Sequence, residues 1–110
     1  MRAWRDAPTA TTRRTTFSDV ATTVIATDRY VGQTGTLTAS RIVTLPAAAV
    51  VVGGTEIVIA DESGSVTGAN TLVITRAGAD LINGVATLTL TTAYGKARLI
   101  SDGVSKWTSV

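Results

Sequence analysis

Apolar and polar residues alternate along much of the chain after residue 36, with the period of two that is typical of a strand with one buried face. The clearest case is 86–92, where Leu88 and Leu90 alternate with threonines. In 71–76, Leu72 and Ile74 occupy one face in the same way. Similar or β-branched-rich stretches predict further strands at 20–31, 36–45, 55–60, 96–101 and 106–110.

Turn residues separate these stretches. Asn83-Gly84 is a strong hairpin signal, and Asp102-Gly103 predicts a second hairpin. Pro46 ends a strand, and 47–52 predicts one helical turn or a tight crossover. Seven or eight short strands without a long amphipathic helix predict an all-β fold, a small antiparallel β-sandwich or jelly-roll-like module. No internal repeat is strong enough to predict a solenoid.

The first nineteen residues have neither a helical nor an alternating pattern, and they hold the whole net charge of +2, as four arginines against two aspartates. They predict an extended N-terminal docking arm, 1–19, ahead of an oligomerisation module, 20–110. Aromatic anchors along a basic arm suit docking onto another protein. A solvated tail is the equally weighted alternative. The predicted docking residues are Arg2, Trp4, Arg5, Arg13, Arg14 and Phe17.

Composition limits the chemistry. The chain has 110 residues, no cysteine and no histidine, which excludes disulfides, Ser-His-Asp or Cys-His catalysis and zinc sites built on these side chains. We therefore expect no catalytic residue, no metal and no cofactor. Only 16% of residues are charged and 21 are threonine, which favours a surface partly covered by other copies of the chain.

Three local features have both a functional and a plain structural interpretation. The adjacent acids Asp61 and Glu62 do not give the separated carboxylates of a glycosidase, so we expect a solvated turn. Tyr94 and Trp107 could stack on a sugar, but such residues more often serve as core or interface aromatics.

The order of several short motifs in 36–110 resembles a module found at the ends of phage fibre, spike and head-decoration proteins. The motifs are the Leu45-Pro46 strand end, the strand and turn at 57–64, the strand at 70–75, Asp80 to Gly84, the turn at 91–95, and Ser101 to Gly103 followed by Trp107. The first thirty residues match nothing in that module, and the chain lacks the long shaft of a tail fibre.

The resemblance implies a homotrimeric, non-enzymatic virion protein, made in the host cytoplasm and located on the outside of the particle. We expect a head-decoration or spike protein that trimerises and docks on the capsid, or on another virion protein, through its arm. The alternative is a short tail-fibre or receptor-binding module that recognises a host glycan. A small enzyme is a third, disfavoured hypothesis. Neither nucleic acid nor a membrane is an expected partner, because the basic residues are few and no apolar run is long enough to span a bilayer.

Overall fold

A computed structural model describes residues 14–110, and these residues form two β-sheets packed against each other. The strands are β1 (Arg14–Phe17), β2 (Thr22–Thr23), β3 (Tyr30–Gln33), β4 (Arg41–Thr44), β5 (Glu56–Asp61), β6 (Leu72–Thr75), β7 (Leu81–Ile82), β8 (Thr87–Leu90), β9 (Lys96–Ser101) and β10 (Lys106–Ser109). One 3-10 turn, Ala48–Val50, lies between β4 and β5. The all-β prediction and the helical turn in 47–52 are confirmed.

The chain alternates between the two sheets from β1 to β6. The odd-numbered strands and β10 form a six-stranded sheet of order β1-β3-β5-β9-β10-β7, and the other four strands form a four-stranded sheet of order β2-β4-β6-β8. Within each sheet the successive strands of this half are parallel. The result is a short parallel coil, in which each turn of the chain contributes one strand to each sheet and stacks on the turn before it.

The predicted antiparallel β-sandwich or jelly roll is therefore wrong in its strand directions, although the two packed sheets are correct. Among the strand pairs, only β6–β8, β5–β9 and β9–β10 are antiparallel. Alternation with period two is the same in parallel and antiparallel strands, so the pattern could not distinguish them. We expected a solenoid to require an internal sequence repeat. The chain forms this coil although its sequence has no strong repeat.

The stretch 20–31 is two strands rather than one. The Asp28 carboxylate accepts the Ile25 backbone N–H at 2.9 Å, and the Asp28 N–H donates to the Ile25 carbonyl at 3.0 Å. This local turn breaks the β-branched run and sends the chain from the four-stranded sheet into the six-stranded one. Thr22–Thr23 and Tyr30–Gln33 consequently lie in different sheets.

The core lies between the sheets and is built from the inner face of each. Ile57, Ile59 and Leu99 of the six-stranded sheet and Leu72 and Ile74 of the four-stranded sheet are fully buried. Burial of each such side chain stabilises the fold by about 1.5–3 kcal/mol. The predicted alternation of β4, β6 and β8 is confirmed. The inward residues are Val43, Leu72, Ile74, Leu88 and Leu90, and the outward ones are Ile42, Val73 and the threonines of these strands.

The Asn83-Gly84 turn forms as predicted. Ile82 and Val85 exchange both backbone hydrogen bonds, and Asn83 and Gly84 have positive φ angles of 52° and 83°. Such φ values are those of a type I′ turn. The strands on its two sides separate at once, because β7 pairs with β10 and β8 pairs with β6.

Candidate functional site

The predicted docking residues fall into two groups. Arg2, Trp4, Arg5 and Arg13 lie outside the described residues. Arg14 and Phe17 lie in β1, which pairs in parallel with β3 along its full length. Phe17 is only 8% exposed and belongs to the core cluster. The part of the predicted arm from Arg14 onward is thus a strand of the six-stranded sheet.

Arg14 is engaged within the chain. Its Nη2 lies 2.6 Å from Oε1 of Glu62 and its Nε 3.1 Å from Oε2, so the guanidinium and the carboxylate make two parallel hydrogen bonds. Glu62 reaches Arg14 by crossing Gly32 of β3, where a Cβ atom would collide with the carboxylate. The hydrogen bond from Arg14 is the largest cause that lowers the pKa of Glu62, and a hydrogen bond from Tyr30 is the second largest.

Tyr94 stands at an exposed turn. Its side chain is 63% exposed, its φ angle is 61°, and its backbone N–H donates to the Asp61 carboxylate at 3.1 Å. Its ring covers Gly64 so closely that a Cβ atom on Gly64 would overlap the ring. The described residues form no pocket beside it. Tyr94 therefore presents a single exposed ring face on a fixed turn.

Trp107 lies in the core with 1% of its surface exposed. Its Nε1 is buried and has no hydrogen-bond partner among the described residues. The two predicted aromatic candidates are therefore not brought together on one surface. In this arrangement the Trp107 ring offers no face to a sugar.

Asp61 does not lie in the solvated turn that the sequence predicted. It is the last residue of β5, 2% exposed, and its two carboxylate oxygens accept hydrogen bonds from Ser63, Val66 and Tyr94 at 2.6–3.1 Å. Burial alone would raise its pKa, but the Ser63 hydroxyl and the backbone N–H groups outweigh burial and lower it. The carboxylate therefore joins the loop that contains Ser63 and Val66 to the loop that contains Tyr94.

Gln33 continues this polar network and was missed in the sequence. It is fully buried; its Oε1 accepts the N–H groups of Asp19 and Gly35, and its Nε2 donates to the Gly35 carbonyl and the Ser63 hydroxyl. Its amide is completely satisfied by the chain itself. Its position gave no signal, because Gln33 falls between the stretches 20–31 and 36–45 that the sequence predicted as strands.

The remaining described residues contain no group of three or more acidic side chains placed to hold a metal ion. Among residues 14–110 no helix is long and apolar enough to cross a membrane. What distinguishes the surface is the difference between the outer faces of the two sheets.

The outer face of the six-stranded sheet is charged and paired. Besides the Arg14–Glu62 pair, Arg98 Nε of β9 donates to Oε2 of Glu56 in β5 at 2.7 Å. Lys96 and Lys106 are exposed on β9 and β10. This is the composition of a surface that remains in water.

The outer face of the four-stranded sheet carries no charge. The strand register aligns one threonine from each strand in a row, Thr23 with Thr44, Thr44 with Thr75, and Thr75 with Thr87. Ile42, Val73 and Thr89 align in the next row. Ile25 lies two residues after Thr23, and Val85 lies two residues before Thr87. They extend the surface at the β2 edge and at the β8 edge. We call this surface the threonine face: Thr23, Ile25, Ile42, Thr44, Val73, Thr75, Val85, Thr87 and Thr89.

Three large apolar side chains of the threonine face are strongly exposed, Ile25 at 58%, Ile42 at 50% and Val85 at 56%. The buried neighbours Val24 and Val43 show that the backbone directs Ile25 and Ile42 outward. All nine members are β-branched, which holds each χ1 angle in few rotamers. The face is therefore stiff, uncharged and partly apolar.

Comparison of the chain with protein-family models, with curated proteins and with solved structures finds no match.

Proposed function

We propose that the chain is a structural protein of a bacteriophage virion, a head-decoration or spike protein that acts by assembling rather than by catalysing a reaction. It associates with copies of itself, as a homotrimer, and its N-terminal segment attaches the assembly to the capsid or to another virion protein. Its place is the exterior of the particle.

The observation that carries this proposal is the unequal distribution of apolar surface. Nine large apolar side chains of the described residues are exposed by half or more. Three lie on the threonine face, three lie in the β4–β5 and β9–β10 connections (Val50, Val52 and Val104), and the others are Val20, Tyr94 and Val110. A small protein that remained alone in water would leave this surface uncovered. A chain whose work is assembly has sister chains or a platform to cover it.

The internal polar network supports the same function. Gln33 and Asp61 direct all of their hydrogen bonds to the chain itself, so these chemically capable side chains rigidify loops. A stiff module transmits load without rearrangement, which is what a particle component requires. The proposal thus rests on the surface and on the rigidity, together with the resemblance of 36–110 to the phage module.

The test has two measurements on the full chain. Sedimentation of the purified protein over a range of concentrations should give a mass about three times that of the 11.3 kDa chain. Immunogold labelling of particles from cells that produce the protein should place it on the head. A monomer at every concentration, or label absent from particles, would contradict the proposal, and label confined to the tail tip would favour the glycan-binding alternative.

A further inference from the structure

We infer that the threonine face is the surface on which a second copy of this chain seats. The inference deepens the proposed function and rests on it, because it identifies which part of the module the sister chains cover.

Charge selects a copy of the same chain as the occupant. Symmetric association brings equivalent residues of two or three chains close together, so any charge near the symmetry axis meets its own like charge. The threonine face contains no ionisable residue, whereas the outer face of the other sheet carries Arg14, Glu56 and Arg98. Of the two sheets, only the four-stranded one can face itself without repulsion.

The same absence of charge argues against other occupants. An acidic capsid surface or a nucleic acid is recognised by lysine and arginine. The threonine face offers neither. Arg41 of β4 alternates with the outward Ile42 and donates from Nε to Asp19 at 2.9 Å. The other cationic residues lie on the six-stranded sheet, in loops at Arg29 and Arg76, or in the first thirteen residues.

The hydroxyl row can pair with itself. A threonine hydroxyl is at once a donor and an acceptor, so a row of threonines can meet an identical row without leaving a polar group unpaired. The row Thr23, Thr44, Thr75 and Thr87 crosses all four strands in register. Ile42 and Val73 on one side and Ile25 and Val85 on the other place apolar contacts on both flanks of this row.

Size sets the strength of the contact. Four strands about 4.8 Å apart and three rows about 6.7 Å apart give a face of about 400 Å² with its side chains, against about 800 Å² per partner in a standard interface. The threonine face alone therefore supports association that depends on concentration, and the remaining area comes from surface around it. A single lysine on this face should be enough to shift the equilibrium.

The test compares two lysine substitutions in the full chain. Ile42→Lys places a charge on the threonine face beside the threonine row, and Thr108→Lys places the same charge at an exposed residue of β10 on the outer face of the six-stranded sheet. We expect I42K to raise the concentration needed for association at least tenfold and T108K to leave it unchanged. Circular dichroism should show both variants folded, since both side chains already lie in solvent.

A cross-link gives an independent readout, because the chain has no cysteine of its own. The T44C variant should form a disulfide-linked dimer of the chain on mild oxidation, and the T108C variant should not. If the wild-type chain associates while I42K associates equally well, or if T108C and not T44C cross-links, a different surface joins the copies and this inference is wrong. A wild-type chain that stays monomeric overturns the proposed self-association itself.

Discussion

The carboxylate of Asp61 accepts the backbone N–H of Tyr94, 33 residues further along the chain, at 3.1 Å. The bond fixes a loop that follows β8 to the end of β5, and the hydrogen bonds from Ser63 and Val66 fix the loop that follows β5 to the same group. One buried side chain therefore sets the positions of two surface loops.

Replacing Asp61 should be strongly destabilising. Asp61→Ala leaves three backbone N–H groups and one hydroxyl without their acceptor, and we expect a loss of about 2–4 kcal/mol in the free energy of unfolding. Urea denaturation measures it. Asp102→Ala is the matched control, because Asp102 also accepts three backbone N–H groups but stands in an exposed turn where water replaces them. Equal losses in the two variants would contradict the role assigned to burial.

The stability of the fold should fall in acid. The pKa of Asp19 is lowered to about 2 by hydrogen bonds from Arg41 and Thr38, and those of Glu62 and Asp102 are also lowered. A carboxylate with a depressed pKa in the folded state binds fewer protons than in the unfolded state, so its contribution is complete above about pH 4 and is lost as the pH falls toward 2. Urea midpoints between pH 7 and pH 2 should fall in that window.

Asp19→Asn tests the assignment. The variant should be less stable than the wild type at pH 7, and the difference should shrink as the pH falls toward the Asp19 pKa of about 2, where the wild-type carboxylate is becoming protonated. A difference that is constant with pH would show that the Asp19 charge plays no part.

Trp107 should tolerate the loss of its N–H but not of its ring. Because Nε1 has no partner among the described residues, Trp107→Phe removes no hydrogen bond there and we expect a cost below about 1.5 kcal/mol. Trp107→Ala removes the buried ring and should cost about 3–5 kcal/mol. Thermal denaturation of both variants distinguishes the two effects, and a larger cost for phenylalanine than for alanine would refute the interpretation.

The predicted docking set should separate into two classes. Phe17→Ala should cost about 3 kcal/mol of stability, because Phe17 packs in the core. Trp4→Ala and Arg5→Ala should weaken cosedimentation of the full chain with particles. If these two variants bind particles as the wild type does, the first residues are not the docking segment.

Because Phe17 belongs to the core, single substitutions test the arm better than a deletion does. A deletion of residues 1–19 would remove β1 and Phe17, so loss of attachment would follow from unfolding as well as from loss of the arm. Single substitutions at Trp4 and Arg5 avoid that ambiguity.

Gly64 should be intolerant of a side chain for two reasons. Its φ angle of 73° is unfavourable for alanine, and an added methyl group would overlap the Tyr94 ring. We expect Gly64→Ala to cost about 1–3 kcal/mol. In a Tyr94→Ala background the overlap disappears and only the backbone strain remains, so the cost should be smaller. An unchanged cost would mean that the ring is not a constraint.

The local chemistry of the sequence predicted much of the fold. Leu88 and Leu90 against their threonines gave β8 and its buried face, and Asn83-Gly84 gave its turn, because period and turn type depend on neighbouring residues. The direction of the strands depends on which segments meet across the chain, and the pattern of β4 or β6 is the same whichever way its neighbour runs. The break in 20–31 depends on one side chain, Asp28, that bonds to a backbone group three residues earlier.

The candidate surface was predicted only in part. The outward threonines of β6 and β8 were evident from alternation. Their alignment into one row with Thr23 and Thr44 was not, because register between distant segments requires the coil. Asp61 looked like an exposed turn residue for the same reason, since the groups that bury it come from loops far apart in sequence.

The coil has a consequence for how the protein is made. Twelve residues separate β1 from β3, its partner, and thirty-four separate β5 from β9, which lies between β5 and the last strand of the chain. Closing such distant contacts is slow. The larger sheet stays incomplete until β10 has been synthesised, so a chain cut short before Lys106 would have a gap between β9 and β7 rather than a shorter but continuous sheet.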